Sequence, residues 1–341
     1  FYDGAHTPDR EDAKLKLKDA IYNSIDTAVK QGNDAPKVSM SGGYDARFIF
    51  SVLARDYDIE GLRGFVYGPY DLQHPRSDSA IAKRVGNLLN CPVDVYASHV
   101  GDFKRTLRSN IDTVDTLSPF CDEVDVLDDL ATTFTDRLFC GDEWFGRLDV
   151  PLNTESELLD SVSIVGIKPI ESLRLVVKDQ DTYESLIAAH TETLADILAS
   201  VDRYDRAHDR KDNLYLTQRI TNVMSLWRQS FTSRAGMVKN PLLHDKVIDS
   251  VQLFGLDDRV EKRLFIEVAR ETFPDIFEIP IADDRVSLTG LDLEKLLLEN
   301  RSWLIDECLS IDSHLEKIIT RDNILKMLYE LSDDNFRARR R

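Results

Sequence analysis

The stretch Val38-Ser39-Met40-Ser41-Gly42-Gly43-Tyr44-Asp45-Ala46-Arg47 joins a short apolar strand to two glycines and then to a helical apolar run, Phe48–Leu53. Glycines permit φ > 0 and a close approach of the main chain to a ligand, and the first amides of a helix carry the positive end of its dipole. The pattern therefore predicts an anion-binding turn between a strand and a helix. An ordinary tight turn explains the glycine pair equally well.

Asp45 is unusual in a loop that would hold phosphate, because a carboxylate repels phosphate unless a cation lies between them. The sequence accordingly predicts Mg²⁺ as the third component of this site.

The stretch Ser41–Ala46 resembles the Ser-Gly-Gly-x-Asp-Ser loop of the PP-loop ATP pyrophosphatases, and its surroundings resemble the synthetase domain of the asparagine synthetase family. Leu62–Gly68 is similar to the family's second strand, and Leu138–Gly146 is similar to its Asp-Glu-x-Phe-Gly motif. Weaker similarity follows at Asn240–Leu243 and Lys262–Phe265. The resemblance implies an α/β fold with a doubly wound parallel sheet, followed by a mainly α-helical second half.

The resemblance also implies an ATP-dependent ligase. Such an enzyme adenylates a carboxylate, aspartate by analogy, releases pyrophosphate, and then transfers nitrogen to form an amide with release of AMP. ATP and Mg²⁺ are the implied cofactors, and a small-molecule carboxylate is the implied substrate. The chain offers no candidate for the N-terminal glutaminase domain of the family, so we expect that domain to be removed or to lie on another polypeptide, or the donor to be free ammonia or another nucleophile.

The resemblance assigns roles to particular residues. Nucleotide binding is expected from the loop and from the ends of three strands, namely Met40, Ser41, Gly42, Gly43, Tyr44, Asp45, Ala46, Val66, Tyr67, Cys140 and Gly141. Asp45 and Asp142 would share Mg²⁺ as oxygen ligands. Lys262 takes the place of a family lysine that neutralises charge on the phosphates in the transition state, so Lys262, Asp45 and Asp142 are the expected catalytic residues.

Each of these residues also has an ordinary structural explanation. The strand residues would fit a buried core, and Asp142 with Glu143 would fit a solvated acidic turn in so acidic a chain. Lys262 would fit a solvated helix face. Arg47, in the first helical turn, would reach a phosphate or a substrate carboxylate, or else form a surface ion pair.

The chain departs from the family pattern at three places, and the first two favour a second hypothesis. Ala46 stands where the family has its final loop Ser, and Cys140-Gly141-Asp142 lacks the acidic residue that the family carries before this Asp. In Pro241–Asp245 the family's Asp is moved or replaced. The alternative is therefore a degenerate, non-catalytic ATP-binding module that regulates or scaffolds a partner. Another PP-loop enzyme, such as a sulfur-transfer or NAD synthetase-like protein, is a third alternative.

Composition narrows the classes of partner. The 341 residues include 61 acidic and 43 basic side chains, and the net charge of −18 disfavours nucleic acid and anionic membranes as partners. No run approaches the roughly 18 to 20 apolar residues that a membrane span needs. The four cysteines lie far apart, which fits a reduced cytoplasm, and the acidity also fits a protein kept soluble at high salt. The initial Phe suggests a processed piece, and we expect the basic end, Arg337–Arg341, to be a solvated tail.

The order of elements predicts the organisation of the chain. Strands are expected at Val38–Met40, Leu62–Tyr67, Val93–Tyr96 and Arg137–Cys140. Helices are expected at Arg10–Gln31, Ala46–Arg55, Ser77–Leu89, Thr182–Ser200, Leu214–Phe231, Leu242–Phe254, Arg259–Thr272, Leu291–Leu309 and Leu315–Leu331. Alternating strands and helices indicate a parallel sheet, in which ligands bind beyond the carboxyl ends of the strands at the switch point. We expect a packing helix or linker over 1–34, an ATP-binding α/β domain over 35–150, a mainly helical portion over 151–335 and the basic tail over 336–341.

Overall fold

The computed structural model describes residues 9–68, 74–97, 102–114, 120–145, 154, 157–159, 173–283, 293–310 and 317–330. Contacts between Cα atoms divide the chain into two compact units. The first comprises Phe1–Pro151 and Arg206–Leu291, and the second comprises Leu152–Asp205 and Asp292–Arg341. Residues 206–291 thus share a unit with the α/β region, whereas the domain boundaries expected from the sequence stay a prediction.

The first unit alternates strands and helices. Its elements in chain order are α1 Arg10–Val29, β1 Lys37–Ser39, α2 Asp45–Arg55, β2 Arg63–Gly68, α3 Asp78–Leu89, β3 Val93–Ala97, α4 Phe103–Val114, α5 Val124–Ala131 and β4 Thr135–Phe139. After residue 205 it continues with α6 Ala207–Leu214, a π-helix over Tyr215–Ser225, α7 Leu226–Ser230, β5 Gly236–Lys239, α8 Asp245–Val251, α9 Leu256–Arg259, a 3₁₀ turn over Val260–Lys262, α10 Arg263–Thr272 and α11 Pro274–Phe277.

The sheet has five parallel strands in the order β3-β2-β1-β4-β5. The chain moves outward from β1 to β3 and then returns to the other side of β1 for β4 and β5. The direction therefore reverses between β1 and β4, and the loops that follow these two strands open at the same edge of the sheet. This confirms the α/β class and the parallel sheet expected from the sequence.

A core lies on each face of the sheet, as alternation of side chains along β2 requires. Val66 belongs to the larger core together with Phe48 of α2, whose ring contacts those of Phe265 and Phe273. Phe65 belongs to the smaller core, which is built on α5 and on β4. Helices thus cover both faces, and the sheet is doubly wound.

Three of the local features that differ from the sequence predictions lie in the first unit. The strand β5 was not predicted, because it is a short edge strand and its Met237 is exposed. The helix expected over Leu214–Phe231 is a π-helix for most of its length. The helix expected over Arg259–Thr272 is interrupted at Val260–Lys262, where Glu261 and Lys262 have φ of 53° and 59°.

The second unit is mainly helical in its described part. Its helices are α12 Gln180–Ala199, α13 Leu293–Glu299, α14 Arg301–Ser310 and α15 Arg321–Glu330. An isolated antiparallel bridge joins Val177 to Ile319. Within the described ranges, no helix combines the length and the apolar character that crossing a membrane requires. The expected basic tail, Arg337–Arg341, and Gly146 lie outside the described residues.

Candidate active site

The two glycine loops expected to bind nucleotide meet at the switch point of the sheet. A Cβ on Gly141 would lie 2.6 Å from the backbone nitrogen of Ala46, and a Cβ on Gly42 would lie 2.3 Å from Cβ of Ala282. Neither glycine has a left-handed φ; of the described glycines, only Gly61 and Gly68 do. Glycine is therefore required at 42 and 141 by close packing, and Gly42 and Gly43 do not adopt the positive φ that the sequence analysis considered.

The loop after β1 already has internal hydrogen bonds. The amide of Gly42 donates to Asp78 Oδ1 at 2.6 Å, and the amide of Gly43 donates to Ser41 Oγ at 3.2 Å. The carboxylate of Asp78 thus already accepts a hydrogen bond from one of the amides that a phosphate would use. An anion that binds here competes with Asp78 for this amide.

Arg47 does not face the site. Its side chain is fully buried, and its guanidinium donates to the carbonyl oxygens of Ile279 at 2.6 Å, Gly42 at 2.9 Å and Pro280 at 3.2 Å. Burial lowers the pKa of Arg47 to about 10, so the group stays charged at neutral pH. The expectation that Arg47 contacts a phosphate, a substrate or a surface carboxylate is wrong, because its donors bind the main chain and hold the loop to residues 279–280.

Lys262 lies at the centre of the site. Its Nζ is 2.8 Å from Asp45 Oδ2 and 2.8 Å from Glu143 Oε1. Burial by itself lowers the pKa of Lys262, but the charges of Glu143 and Asp45 outweigh burial and raise the pKa above its ordinary value. The structure thus brings Lys262 to the loop as the sequence analysis expected, as a fixed cation between two carboxylates.

The backbone at Lys262 has an unusual conformation. Glu261 and Lys262 both adopt left-handed φ/ψ, a conformation that costs roughly 1–3 kcal/mol for a non-glycine residue. Immediately afterwards α10 begins, with Leu264 and Phe265 fully buried. The ordinary explanation for Lys262 was a solvated helix face. It does not fit, because Lys262 lies in an interrupted 3₁₀ turn and its side chain is mostly buried.

Glu143 was missing from the residues expected in the site. Besides pairing with Lys262, its Oε2 accepts a hydrogen bond from the amide of Phe145 at 2.6 Å, and its side chain is 6% exposed. The sequence did contain a pattern that could have indicated Glu143, namely the adjacent carboxylates Asp142 and Glu143. The sequence analysis assigned a role only to Asp142. The alternative of a solvated acidic turn is wrong, because both carboxylates are buried.

Asp142 is held by a second cation. Both of its oxygens accept from Arg228 at 2.9 Å, and Oδ2 also accepts from Asn240 Nδ2 at 3.0 Å. Arg228 comes from α7 and had no local signal in the sequence. Asn240 lies in one of the two segments of weaker similarity to the family.

The residues present match Mg²⁺ in ligand type but do not form a ready site. Carboxylate and amide oxygens suit this ion, and Asn240 Oδ1 is buried without a hydrogen-bond partner among the described residues. However, Asp45 and Asp142 are each paired with a cation, and the described residues contain no group of three or more His, Cys, Asp or Glu arranged to hold a metal. Sharing of Mg²⁺ by these two aspartates stays a prediction.

Three of the strand-end residues expected to bind nucleotide are buried. Met40, Val66 and Cys140 have exposed fractions of 4%, 1% and 0%, so their side chains belong to the core. The last ladder pair between β1 and β2 is Ser39 with Phe65, and β2 continues for three residues beyond it, to Gly68. The main-chain edge of this extension is the part of the strand that a base would read.

The thiol of Cys140 has no properties of a nucleophile. Burial raises its pKa to about 11, so the thiolate is scarce at neutral pH. Burial likewise raises the pKa of Cys121. These thiols give no support to sulfur-transfer chemistry in the described part of the chain.

No family model and no curated protein matches the chain. Among solved structures the chain is similar to the U34-tRNA thiolase NcsA from Methanococcus maripaludis with its [4Fe-4S] cluster, with 14% sequence identity, over 60% of this chain and 77% of that chain. The TM-score is 0.29, at which the similarity supports no conclusion about function. The fold assignment made above therefore depends on the sheet topology of this chain itself.

Proposed function

We propose that this chain is an ATP-dependent, AMP-forming carbon–nitrogen ligase similar to the asparagine synthetase family. The observation that carries the proposal is the position of Lys262, whose ammonium lies 2.8 Å from Asp45 in the phosphate-loop sequence, 217 residues away along the chain. A buried cation beside such a loop suits a reaction in which negative charge develops on phosphate.

The proposed reaction has two steps. A substrate carboxylate oxygen attacks the α phosphorus of ATP, and the bond to the β phosphate breaks with its electron pair leaving on pyrophosphate. A nitrogen nucleophile then attacks the acyl carbon and loses a proton, and AMP leaves with the former carboxylate oxygen. Aspartate is the acceptor by analogy with the family, and ammonia or a separate glutaminase is the source of nitrogen.

The roles of the residues follow from their places. The loop Ser41–Tyr44 and the first turn of α2 would receive the leaving pyrophosphate, and Lys262 would neutralise charge on it. The extension of β2 beyond β1 would accept adenine through its main chain. Mg²⁺, when bound, would neutralise the triphosphate, and Asp45 and Asp142 are the residues that would hold it.

Incubation with ATP, Mg²⁺, aspartate and ammonia tests the proposal. The expected products are AMP, pyrophosphate and the amide in equal amounts, with none of them formed when the carboxylate is omitted. A panel of other amino-acid carboxylates identifies the acceptor if aspartate is inactive. Failure of every carboxylate, with ATP bound to the protein, overturns the ligase proposal.

The contacts of Asp78 and Arg228 favour a second candidate, a non-catalytic ATP-binding module. The amide of Gly42 is bound by Asp78, and both oxygens of Asp142 are bound by Arg228, so two groups needed for catalysis have internal partners. Ala46 adds to this by removing a hydroxyl from the loop. Tight ATP binding in titration calorimetry, without AMP formation, distinguishes this module from the ligase.

The proposal also includes a location and a class of partner. The widely spaced cysteines support a cytoplasmic location, the proposed chemistry supports a small-molecule carboxylate as the partner, and the charge of −18 disfavours nucleic-acid and membrane partners.

A further inference from the structure

A buried cluster of charged side chains lies next to the turn that carries Lys262. Arg259 Nη1 is 2.7 Å from Asp212 Oδ2, and Arg259 Nη2 is 2.5 Å from Asp209 Oδ1. All three side chains are less than one tenth exposed. None of them was singled out from the sequence, and the proposed reaction uses none of them directly.

Through its backbone the same cluster holds the loop that carries Glu143. The indole Nε1 of Trp144 donates to the main-chain oxygen of Asp212 at 2.6 Å, and Trp144 is 2% exposed. On the next residue, the ring of Phe145 stacks on that of Phe265 with centroids 4.4 Å apart and an interplanar angle of 15°. The loop is thus attached at one point to α6 and at another to α10.

The cluster also holds the turn that carries Lys262. Arg259 immediately precedes Val260–Lys262, and Phe265 follows it in the first turn of α10. The two left-handed residues therefore lie between two buried anchors, a condition under which a strained backbone persists.

These contacts form a closed circuit. It runs from Asp212 through Arg259 to the turn and Lys262, across the ion pair to Glu143, and through Trp144 back to Asp212. A circuit closed in this way fixes the distance between Lys262 and Glu143 from both sides. If any one of these contacts is lost, the ion pairs of Lys262 with Asp45 and Glu143 are no longer enough to fix the position of its side chain.

We infer that Asp212, Arg259 and Trp144 are positioning residues, which hold Lys262 in place against Asp45 and Glu143 for the reaction proposed above. The inference rests on the proposed function as far as catalysis is concerned. Its geometric part, the placement of Lys262, is tested without reference to catalysis.

The test is Trp144→Phe, which removes the indole N–H while it keeps an aromatic ring. Trp303→Phe is the matched control, because Trp303 Nε1 also makes one hydrogen bond, to Glu307 Oε1 at 2.8 Å, and Trp303 lies in the second unit. The first measurement is the rate at which acetic anhydride acetylates Lys262, followed by peptide mass spectrometry and normalised to the exposed Lys30. The second is the kcat and KM of AMP formation.

In Trp144→Phe we expect Lys262 to be acetylated about tenfold faster, which corresponds to about 1.4 kcal/mol of lost interaction. We expect kcat to fall about tenfold with the Kd for ATP unchanged, and Trp303→Phe to match the wild type in both measurements. Unchanged acetylation of Lys262 in a folded Trp144→Phe protein overturns the positioning inference. Faster acetylation, in a protein whose wild type forms no AMP, supports the positioning and overturns the ligase function instead.

A second variant keeps the inference testable if Trp144→Phe does not fold. Arg259→Lys retains the positive charge but loses the planar fork that reaches both Asp209 and Asp212. The same increase in acetylation of Lys262 is expected in this variant, and its absence in a folded protein overturns the inference.

Discussion

The ammonium of Lys262 lies 2.8 Å from the carboxylate of Asp45, although 217 residues separate them in the sequence. The contact joins the loop after β1 to a left-handed turn that follows α9. It also places a positive charge where the loop and the dipole of α2 would attract phosphate.

Asp45→Asn removes one charge at nearly constant volume. We expect the variant to fold, since Lys262 keeps its ion pair with Glu143, and to lose most Mg²⁺-dependent ATP affinity or turnover. Titration calorimetry with and without Mg²⁺ measures the effect, and Asp26→Asn, which breaks an exposed pair with Lys30, is the control. Equal ATP affinity of wild type and Asp45→Asn in Mg²⁺ would exclude Asp45 from the nucleotide site.

Ala46→Ser restores the hydroxyl of the family loop. A donor that faces phosphate is expected to strengthen ATP or pyrophosphate binding by about 0.5–1.5 kcal/mol, the net contribution of a hydrogen bond. Calorimetric titration with pyrophosphate measures it directly. Because Ala46 is 4% exposed and lies against Gly141, unchanged or weaker binding would mean that position 46 faces the packed interior and not the ligand.

Gly141→Ala tests the contact between the two loops. Its Cβ would lie 2.6 Å from the backbone nitrogen of Ala46, so the loops must separate, and we expect a loss of about 1–3 kcal/mol in the free energy of unfolding. Gly43→Ala is the matched control, because its Cβ would meet only Ser41 Oγ, at 3.2 Å. Denaturant unfolding compares the two, and equal stability of both variants would contradict the close approach.

Glu123 predicts a pH dependence of stability. Burial, together with Asp122, raises the pKa of Glu123 to about 8. The folded protein then binds more protons than the unfolded chain between about pH 4.5 and pH 8, so stability falls as pH rises through this window. The loss is roughly 1.4 kcal/mol for each pKa unit of the shift.

Glu123→Gln removes this titration. The stability difference between wild type and variant, measured by denaturant unfolding from pH 4 to pH 9, should move against the wild type as pH rises and become constant above about pH 8. A difference that does not change with pH would show that the pKa of Glu123 is not raised in the folded protein.

The parts of the fold that the sequence predicts are those with a dense local pattern. The strand, glycine pair and apolar helix around Gly42 are adjacent in the chain, so their elements and their place at the switch point follow from the sequence. Strand β5 has four residues and an exposed Met237, which leaves almost no periodicity to detect.

The parts of the site that were not predicted depend on pairs distant in sequence. Arg228 reaches Asp142 across 86 residues, and nothing beside Arg228 marks it as a partner. Asp78, which binds the amide of Gly42, begins a helix in the ordinary way and carries no sign of the loop it contacts. Lys262 was found only through the resemblance, because nothing in the local sequence Glu261-Lys262-Arg263 marks the interruption of the expected helix.

In the proposed reaction the chain activates a carboxylate with ATP and uses Lys262 to do so. The most direct measurement is carboxylate-dependent exchange of labelled pyrophosphate into ATP, because it reports adenylate formation without a nitrogen donor. We expect exchange by the wild type in the presence of its carboxylate, and a decrease of about 10²–10³-fold in Lys262→Met, the effect of removing one transition-state donor, with ATP still bound. Exchange by Lys262→Met at the wild-type rate would exclude Lys262 from the reaction, and ATP binding by the wild type without exchange for any carboxylate would contradict the ligase function.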